Sequence, residues 1–337
     1  MRAFVVTNRL TAAVHEVEPP RAGPDQVVVD VARVGVCGTD VELFTGEMEY
    51  LRQGHAQYPM RLGHEWSGTV TAVGDSVDPS WLGRRVTGDT ELGCGRCRRC
   101  LHGLHWTCAD RVEIGVRGGF PGALAEQLAV PATALYALPD TIDDTAGALV
   151  EPGGNALRAV RAAGSAPGER VLILGLGTIG LLTGMLAKAH GAEVHLMGRS
   201  QRSIDFARTL GFHGVWRNDE LPTVPWDAVI DASNASDLPA LALDLVEPGR
   251  RVVYIGLAGT PSRIDTRTLA LKDVTAVGIL GASAGLAGAI ESFGGAAVDP
   301  RPLVAATVGL DQVGEVLSGW RPAGAGQGPK IQVDPRA

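Results

Sequence analysis

This chain has no positive excess and no basic block. Its 337 residues hold 30 Lys and Arg against 37 Asp and Glu, a formal net charge of −7. That balance argues against nucleic acid or an anionic membrane as partner. An apolar signal core is also missing, because Met1 to Val17 carries Arg2, Arg9, His15 and Glu16. No apolar run approaches the roughly 18 residues of a membrane span, so a cytoplasmic protein is expected. No internal repeat is found. Cysteine is scarce and unevenly placed: Cys37 stands alone, while Cys94, Cys97, Cys100 and Cys108 are clustered. In a reducing compartment such a cluster reads as metal ligation before disulfides.

What the chain does have is length and apolar content. At 337 residues with 45% hydrophobic and 20% charged content, it predicts a globular protein of two domains. The first stretch carries β signals: a valine-rich run over 27–34, WSGTVTAV over 66–73, and a further candidate over 124–130. Short strands with Gly and Pro turns suggest a barrel-like β domain. The pattern changes near Thr141. Residues 145–163 read as helix, 171–174 (VLIL) as a buried strand, 179–190 as helix, 193–197 as strand and 203–210 as helix. Buried strands follow at 228–230, 251–255 and 274–279. Apolar strands alternating with helices predict a parallel sheet covered on both faces. Residues 322–329 read as a loop.

Gly175-Leu176-Gly177-Thr178-Ile179-Gly180 matches G-x-G-x-x-G, between an apolar strand and a helix. That context makes it a dinucleotide turn, with the pyrophosphate at the helix N-terminus. An NAD site has Asp or Glu about 20 residues on. Here Gly198 stands at the expected strand end, followed by Arg199, Ser200 and Arg202. A carboxylate would repel a 2′-phosphate, whereas Arg can pair with it. The expected cofactor is therefore NADP(H) in preference to NAD(H), against the plainer reading of a solvated basic loop.

Cys94-x2-Cys97-x2-Cys100-x7-Cys108 places four thiols within fifteen residues. Four thiolates close a tetrahedral zinc shell and leave no open position, so the site should be structural. Arg96, Arg98, Arg99, His102 and His105 would offset its negative charge. An iron–sulfur cluster fits the seven-residue gap poorly.

Three further motifs carry polar residues: Cys37-Gly38-Thr39-Asp40, Gly63-His64-Glu65 and Glu151-Pro152. With the four-cysteine lobe and the glycine turn, they occur in an order that resembles the zinc-containing medium-chain dehydrogenase/reductase family over nearly the whole chain. Glu151-Pro152 and CGTDVE (Cys37 to Glu42) are similar to the polyol and sugar dehydrogenase branch. The ethanol branch usually has Cys in place of Glu151.

The resemblance implies an α/β fold: a GroES-like β-rich catalytic domain over 1–151 with the zinc lobe at about 92–110, a Rossmann domain with a doubly wound parallel sheet over 152–283, and a C-terminal return over 284–337. It implies two Zn2+ per chain. Cys37, His64 and Glu151 would surround the catalytic zinc, with Glu65 ligating directly or exchanging with Glu151 and water. Asp40 would orient His64. Thr39 would pass on the substrate proton. Where many relatives carry His, this chain has Glu42, a carboxylate relay or a solvent-facing side chain. Glu47, Glu49, Tyr50, His55 and Trp66 are candidates for shaping a polar pocket, and Trp66 is equally readable as core.

The implied chemistry is zinc-assisted hydride transfer between a nicotinamide cofactor and a secondary alcohol of a polyol, sugar or cyclitol. An NADPH-dependent carbonyl or imine reductase is the second reading, and a non-catalytic relative keeping only fold and structural zinc is the third. A homodimer or homotetramer is expected, with residues 274–279 as an edge strand that pairs across subunits.

Overall fold

In the computed structural model, which describes residues 1–337, the chain divides into two units. The first comprises Met1–Glu151, Val304–Gly326 and Lys330–Ala337, and the second Pro152–Leu303 with Gln327–Pro329. The return expected from residue 284 begins, by this division, at Val304. The helix Leu286–Gly294 lies in the second unit.

A seven-stranded sheet organises the first unit. Its order is Val304–Gly309, Lys330–Asp334, Gln26–Val36, Glu65–Val73, Arg85–Gly88 and Leu135–Ala137, with Gln127–Pro131 also pairing Gln26–Val36. All pairings are antiparallel except that of the first two strands. The valine run makes the central strand: Val27, Val29, Val31 and Val34 are buried against Leu62, Trp66, Leu124 and Leu128. Register shifts at Val28/Val29 and Val31/Arg33 interrupt its ladder with Glu65–Val73. Such bulges bend a strand and tighten its twist, which curls the sheet. Trp66 belongs to this core and is fully buried. It does not line a polar pocket.

The second unit carries a six-stranded, all-parallel sheet in the order Gly214–Arg217, Glu193–Gly198, Arg170–Leu174, Trp226–Asp231, Val246–Tyr254 and Thr275–Gly278. That is the doubly wound 3-2-1-4-5-6 arrangement. Arg170–Leu174, at its centre, is buried at Val171, Leu172, Ile173 and Leu174. The helix expected over 145–163 is two: Asp144–Gly147, capped by the Asp143 carboxylate, and Val150–Ala163. Pro152 sits in the first turn of the second helix, where its missing N–H costs no hydrogen bond. Residues 214–217 carry no strand signal in the sequence, because only Val215 among them is buried, too little for periodicity. No helix is long and apolar enough to cross a membrane.

Candidate active site and cofactor turn

The strand Gln26–Val36 runs into Cys37, which caps the helix Gly38–Thr45. The Thr39 N–H donates to the Cys37 sulfur at 3.3 Å. Asp40, fully buried, ties two segments together. Its Oδ2 accepts from the Cys37 N–H at 3.0 Å and its Oδ1 from the Gly63 N–H at 3.2 Å. The neighbouring His64 thereby arrives with its Nε2 3.1 Å from the Cys37 sulfur. Its Nδ1 stands 3.6 Å from Asp40 Oδ1. That is an ion-pair distance, too long for a hydrogen bond, and Nδ1 has no hydrogen-bond partner.

Glu65 completes a convergent set. Donor atoms of Cys37, His64 and Glu65 all lie within 4.8 Å of one another. The Glu65 carboxylate crosses the face of Gly35 on the neighbouring strand, where a Cβ would lie 2.0 Å from Oε2. Lys330, from the last strand, donates to both Glu65 oxygens at 2.8 and 2.7 Å and to the Val36 carbonyl at 3.1 Å. Both partners of this pair are buried. Sequence reading missed Lys330 and Gly35. The available signal was a lysine opening a strand that alternates apolar and polar residues, KIQVD.

The donor set of thiol, imidazole and carboxylate suits zinc. The electrostatics agree. Burial disfavours charge on His64, yet the Cys37 sulfur and the Asp40 carboxylate outweigh it and hold the imidazole well above its ordinary pKa. The Cys37 sulfur and the Asp40 carboxylate thus favour positive charge at this position. Asp40 is likewise lowered: burial opposes its ionisation, but His64 and the Cys37 N–H prevail.

Glu151 is not among the three converging residues. It is buried at the start of the helix Val150–Ala163, and its field reaches Glu91. Glu91, unremarked in the sequence, is buried with Asp89, Glu113 and Glu151 about it. Burial first, then these carboxylates, raise it well above the ordinary range. Asp89 in turn meets His105 Nε2 at 2.8 Å.

His105 belongs to the cysteine lobe. There the Cys97 sulfur lies 3.6 Å from Cys100 and 3.7 Å from Cys108, and Cys94 lies 4.0 Å from Cys100. A tetrahedron with arms of about 2.3 Å has edges of about 3.8 Å, so these four sulfurs fit one zinc ion. Backbone N–H groups of Arg96 and Cys97 hold the Cys94 thiol down to about 6, whereas burial pushes Cys100 up to about 11. Of the expected pocket residues, Tyr50 has its hydroxyl at 3.2 Å from Glu113 and 2.9 Å from Arg111. His55 packs edge-on to Tyr50, and Glu47 and Glu49 are exposed.

In the second unit, Gly175 follows Arg170–Leu174 with φ 109°, and Gly177 caps the helix Thr178–Ala189. A Cβ on Gly180 would lie 2.0 Å from the Gly175 carbonyl, while Gly177 faces open space. Thr178 and Ile179 are half-buried in the first turn. The free N–H groups of such a turn attract phosphate. Gly198 ends the next strand, and its Cβ would meet Leu176 Cδ1 at 2.2 Å. Close packing on Leu176 therefore favours glycine there, independently of any cofactor phosphate. Arg199 and Arg202 are exposed beyond it, Ser200 caps the helix Gln201–Thr209, and Arg202 donates to Gln327 at 3.1 Å. Arg217, also missed in the sequence, lies opposite Gly198 on the adjacent strand.

Residues 23–140 match the alcohol dehydrogenase GroES-like domain, and residues 178–294 match the zinc-binding dehydrogenase domain. An L-threonine 3-dehydrogenase of Deinococcus deserti is 30% identical over 95% of this chain and 94% of its own length. A zinc-binding dehydrogenase from Sinorhizobium meliloti 1021, solved bound to NADP, superposes with a TM-score of 0.90 at 28% identity, covering 99% of both chains. Galactitol-1-phosphate dehydrogenase from Escherichia coli shares the fold with a TM-score of 0.88 at 24% identity, over 99% of this chain and 100% of its own. With two domain matches and a relative along almost its full length, the chain belongs to the zinc-containing medium-chain dehydrogenase/reductase family.

Proposed function

We propose that this enzyme transfers hydride between NADP(H) and a secondary alcohol or ketone of a polyol, sugar or cyclitol. The observation that carries the reading is the convergence of Cys37, His64 and Glu65 beside Asp40, with Thr39 half-buried one residue before Asp40. A zinc ion held by Cys37 and His64, with Glu151 or Glu65, would supply Lewis-acid polarisation of the substrate oxygen, and the nicotinamide would supply the hydride acceptor. Asp40 fixes the positions of Cys37 and His64. Lys330 neutralises Glu65 and holds it in reserve as a ligand. Thr39 accepts the proton leaving the alcohol, and Glu42, three residues on along the same helix face, passes it outward. Cys94, Cys97, Cys100 and Cys108 hold a second, structural zinc.

In the cofactor turn, Gly175, Gly177, Thr178, Ile179 and Gly180 receive the pyrophosphate. Arg199 and Arg202, with Ser200 between them and Gly198 before them, receive the 2′-phosphate, and Arg217 adds charge at the same strand end. This cluster of guanidinium groups also favours a second reading, an NADPH-dependent reductase of a carbonyl or imine. We place the enzyme in the cytoplasm as a homodimer or homotetramer. The edge strand Thr275–Gly278, flanked by exposed Leu271 and Leu280, supports self-pairing.

The test is a panel of polyols, sugars, L-threonine, sugar phosphates and their carbonyl counterparts, assayed with both cofactors beside zinc analysis. Turnover of a polyol or sugar with NADP, at two zinc per chain, supports the first reading. Turnover confined to carbonyl or imine reduction supports the second. Strong NAD preference overturns the cofactor assignment.

A further inference from the structure

Apart from the zinc-ligand candidates, the first unit holds a cavity of about 200 Å3 whose walls include Gln57, Met60, Arg61, Val116, Arg117 and Phe120. None of Cys37, Asp40, His64, Glu65 or Lys330 lines it, and neither does any carboxylate. Its frame is well tied. Met60 exchanges two backbone hydrogen bonds with Val6, each 2.9 Å, the Gly122 N–H donates to the Arg61 carbonyl at 2.8 Å, and the Gly115 N–H donates to the Phe120 carbonyl at 3.0 Å.

Arg61 is the anomaly in this cavity. Its Nε is buried with no hydrogen-bond partner, and no carboxylate pairs with its guanidinium. Burial alone lowers its pKa, to about 10, and no neighbouring charge acts on it. It therefore stays cationic at neutral pH in a place that disfavours the charge. Arg61 as a whole is half-buried, but a guanidinium nitrogen shut off from water is ordinarily paired, because its desolvation is otherwise uncompensated. Arg117 is a second basic residue in the lining. It is anchored by donation to the Ala109 carbonyl at 3.3 Å and by the Tyr50 ring, 5.3 Å from its Cζ. Two cations, no acid and an apolar wall of Met60, Val116 and Phe120 define what the cavity lacks.

We propose that this cavity binds a small organic anion, with its carboxylate or phosphate head on Arg61 and its apolar body against Met60, Val116 and Phe120. The fork of Arg61 presents paired N–H donors in the geometry that either oxyanion accepts. Arg117 adds positive charge to the lining. Its lining shares no residue with the zinc-ligand candidates, and the proposal stands whether or not the proposed substrate class is correct.

The experiment is calorimetric titration of the zinc-loaded, full-length protein with butyrate, ethyl phosphate and, as neutral control, butanol. Butyrate or ethyl phosphate is expected to bind with a Kd of about 1 mM or tighter, and butanol at least tenfold more weakly, a difference of roughly 1.4 kcal/mol or more. Comparing the two anions identifies the head group. Arg61→Gln is expected to weaken anion binding by roughly tenfold or more, with unchanged zinc content and circular dichroism. Should Arg61→Gln fail to fold, Val116→Phe fills the cavity without altering charge and is expected to abolish binding. Three results would overturn the proposal: neither anion saturating at about ten times that concentration, butanol binding as tightly as the anions, or a folded variant binding them as the parent does.

Discussion

Lys330 and Glu65 form a buried ion pair whose members cannot be removed singly without cost. Lys330→Met strands the Glu65 carboxylate among Cys37, Asp40 and Val36. Breaking a buried pair in this way costs about 3–5 kcal/mol, so urea denaturation of the variant should show a loss of that size. Replacing both partners with apolar residues should restore much of it. At Glu42 the expectation concerns rate. Burial first, and Glu47 second, raise its carboxyl above the ordinary range. A relay base must be ionised to accept a proton, so alcohol oxidation should fall as pH drops through that raised pKa. Glu42→Gln should lower the rate and flatten this limb. An identical pH profile for variant and parent would remove Glu42 from the relay. These residues also mark the limit of sequence reading. Cys37, His64, Asp40 and Glu65 are legible because they sit in short contiguous motifs. Lys330 is not, since its partner lies 265 positions away and only the fold joins them. Glu91 is hidden for a related reason: its pKa is raised first by burial and then by Asp89, Glu151 and Glu113 gathered around it.

Among the elements, the cysteine lobe and the strand Glu193–Gly198 make separate predictions. The lobe has little core of its own beyond buried Cys108, with Leu101 and Leu104 exposed. Cys97→Ser should therefore reduce zinc from two to one per chain and render residues around 92–110 protease-sensitive. Equal zinc in variant and parent would refute the tetrahedral assignment. In the strand, Glu193 is held down to about 2, first by Arg170 and then by His195. A depressed carboxyl stabilises the fold above its unfolded value, about 4.3, and loses that contribution as pH falls towards 2. Glu193→Gln should thus be less stable at pH 7, by about 1 kcal/mol or less because the pair is partly solvated. That gap should close between about pH 4.5 and pH 2. The strands and helices of this unit were mostly legible, since buried parallel strands read as apolar runs. Gly214–Arg217 was not, because one buried residue makes no pattern.

For the whole molecule, the cofactor and the assembly are the decisive measurements. The Gly198–Arg202 loop with Arg217 should give a kcat/KM for NADP above that for NAD, and Arg199→Glu should reverse the order by placing a carboxylate near the 2′ position. Light scattering should report a dimer or tetramer, and a charged residue in place of Ala276 on the edge strand should shift it towards monomer. A monomeric parent protein rejects the self-pairing. The two-domain organisation was readable from composition and periodicity. The return of the chain to the first sheet was not, because order along the chain says nothing about which strand edge it will reach.

That return has a consequence for how the protein is made. Lys330–Asp334 is added to the first unit's sheet between Val304–Gly309 and Gln26–Val36, and it carries the ammonium that neutralises Glu65. During synthesis Glu65 emerges 265 residues before the lysine that neutralises it. Until that strand arrives, the candidate metal ligands Cys37, His64 and Glu65 lack the ammonium that offsets the carboxylate's charge. Arrival of that strand thus bears on metal fidelity, and a chain clipped just before Lys330 should bind zinc less selectively than one that carries it.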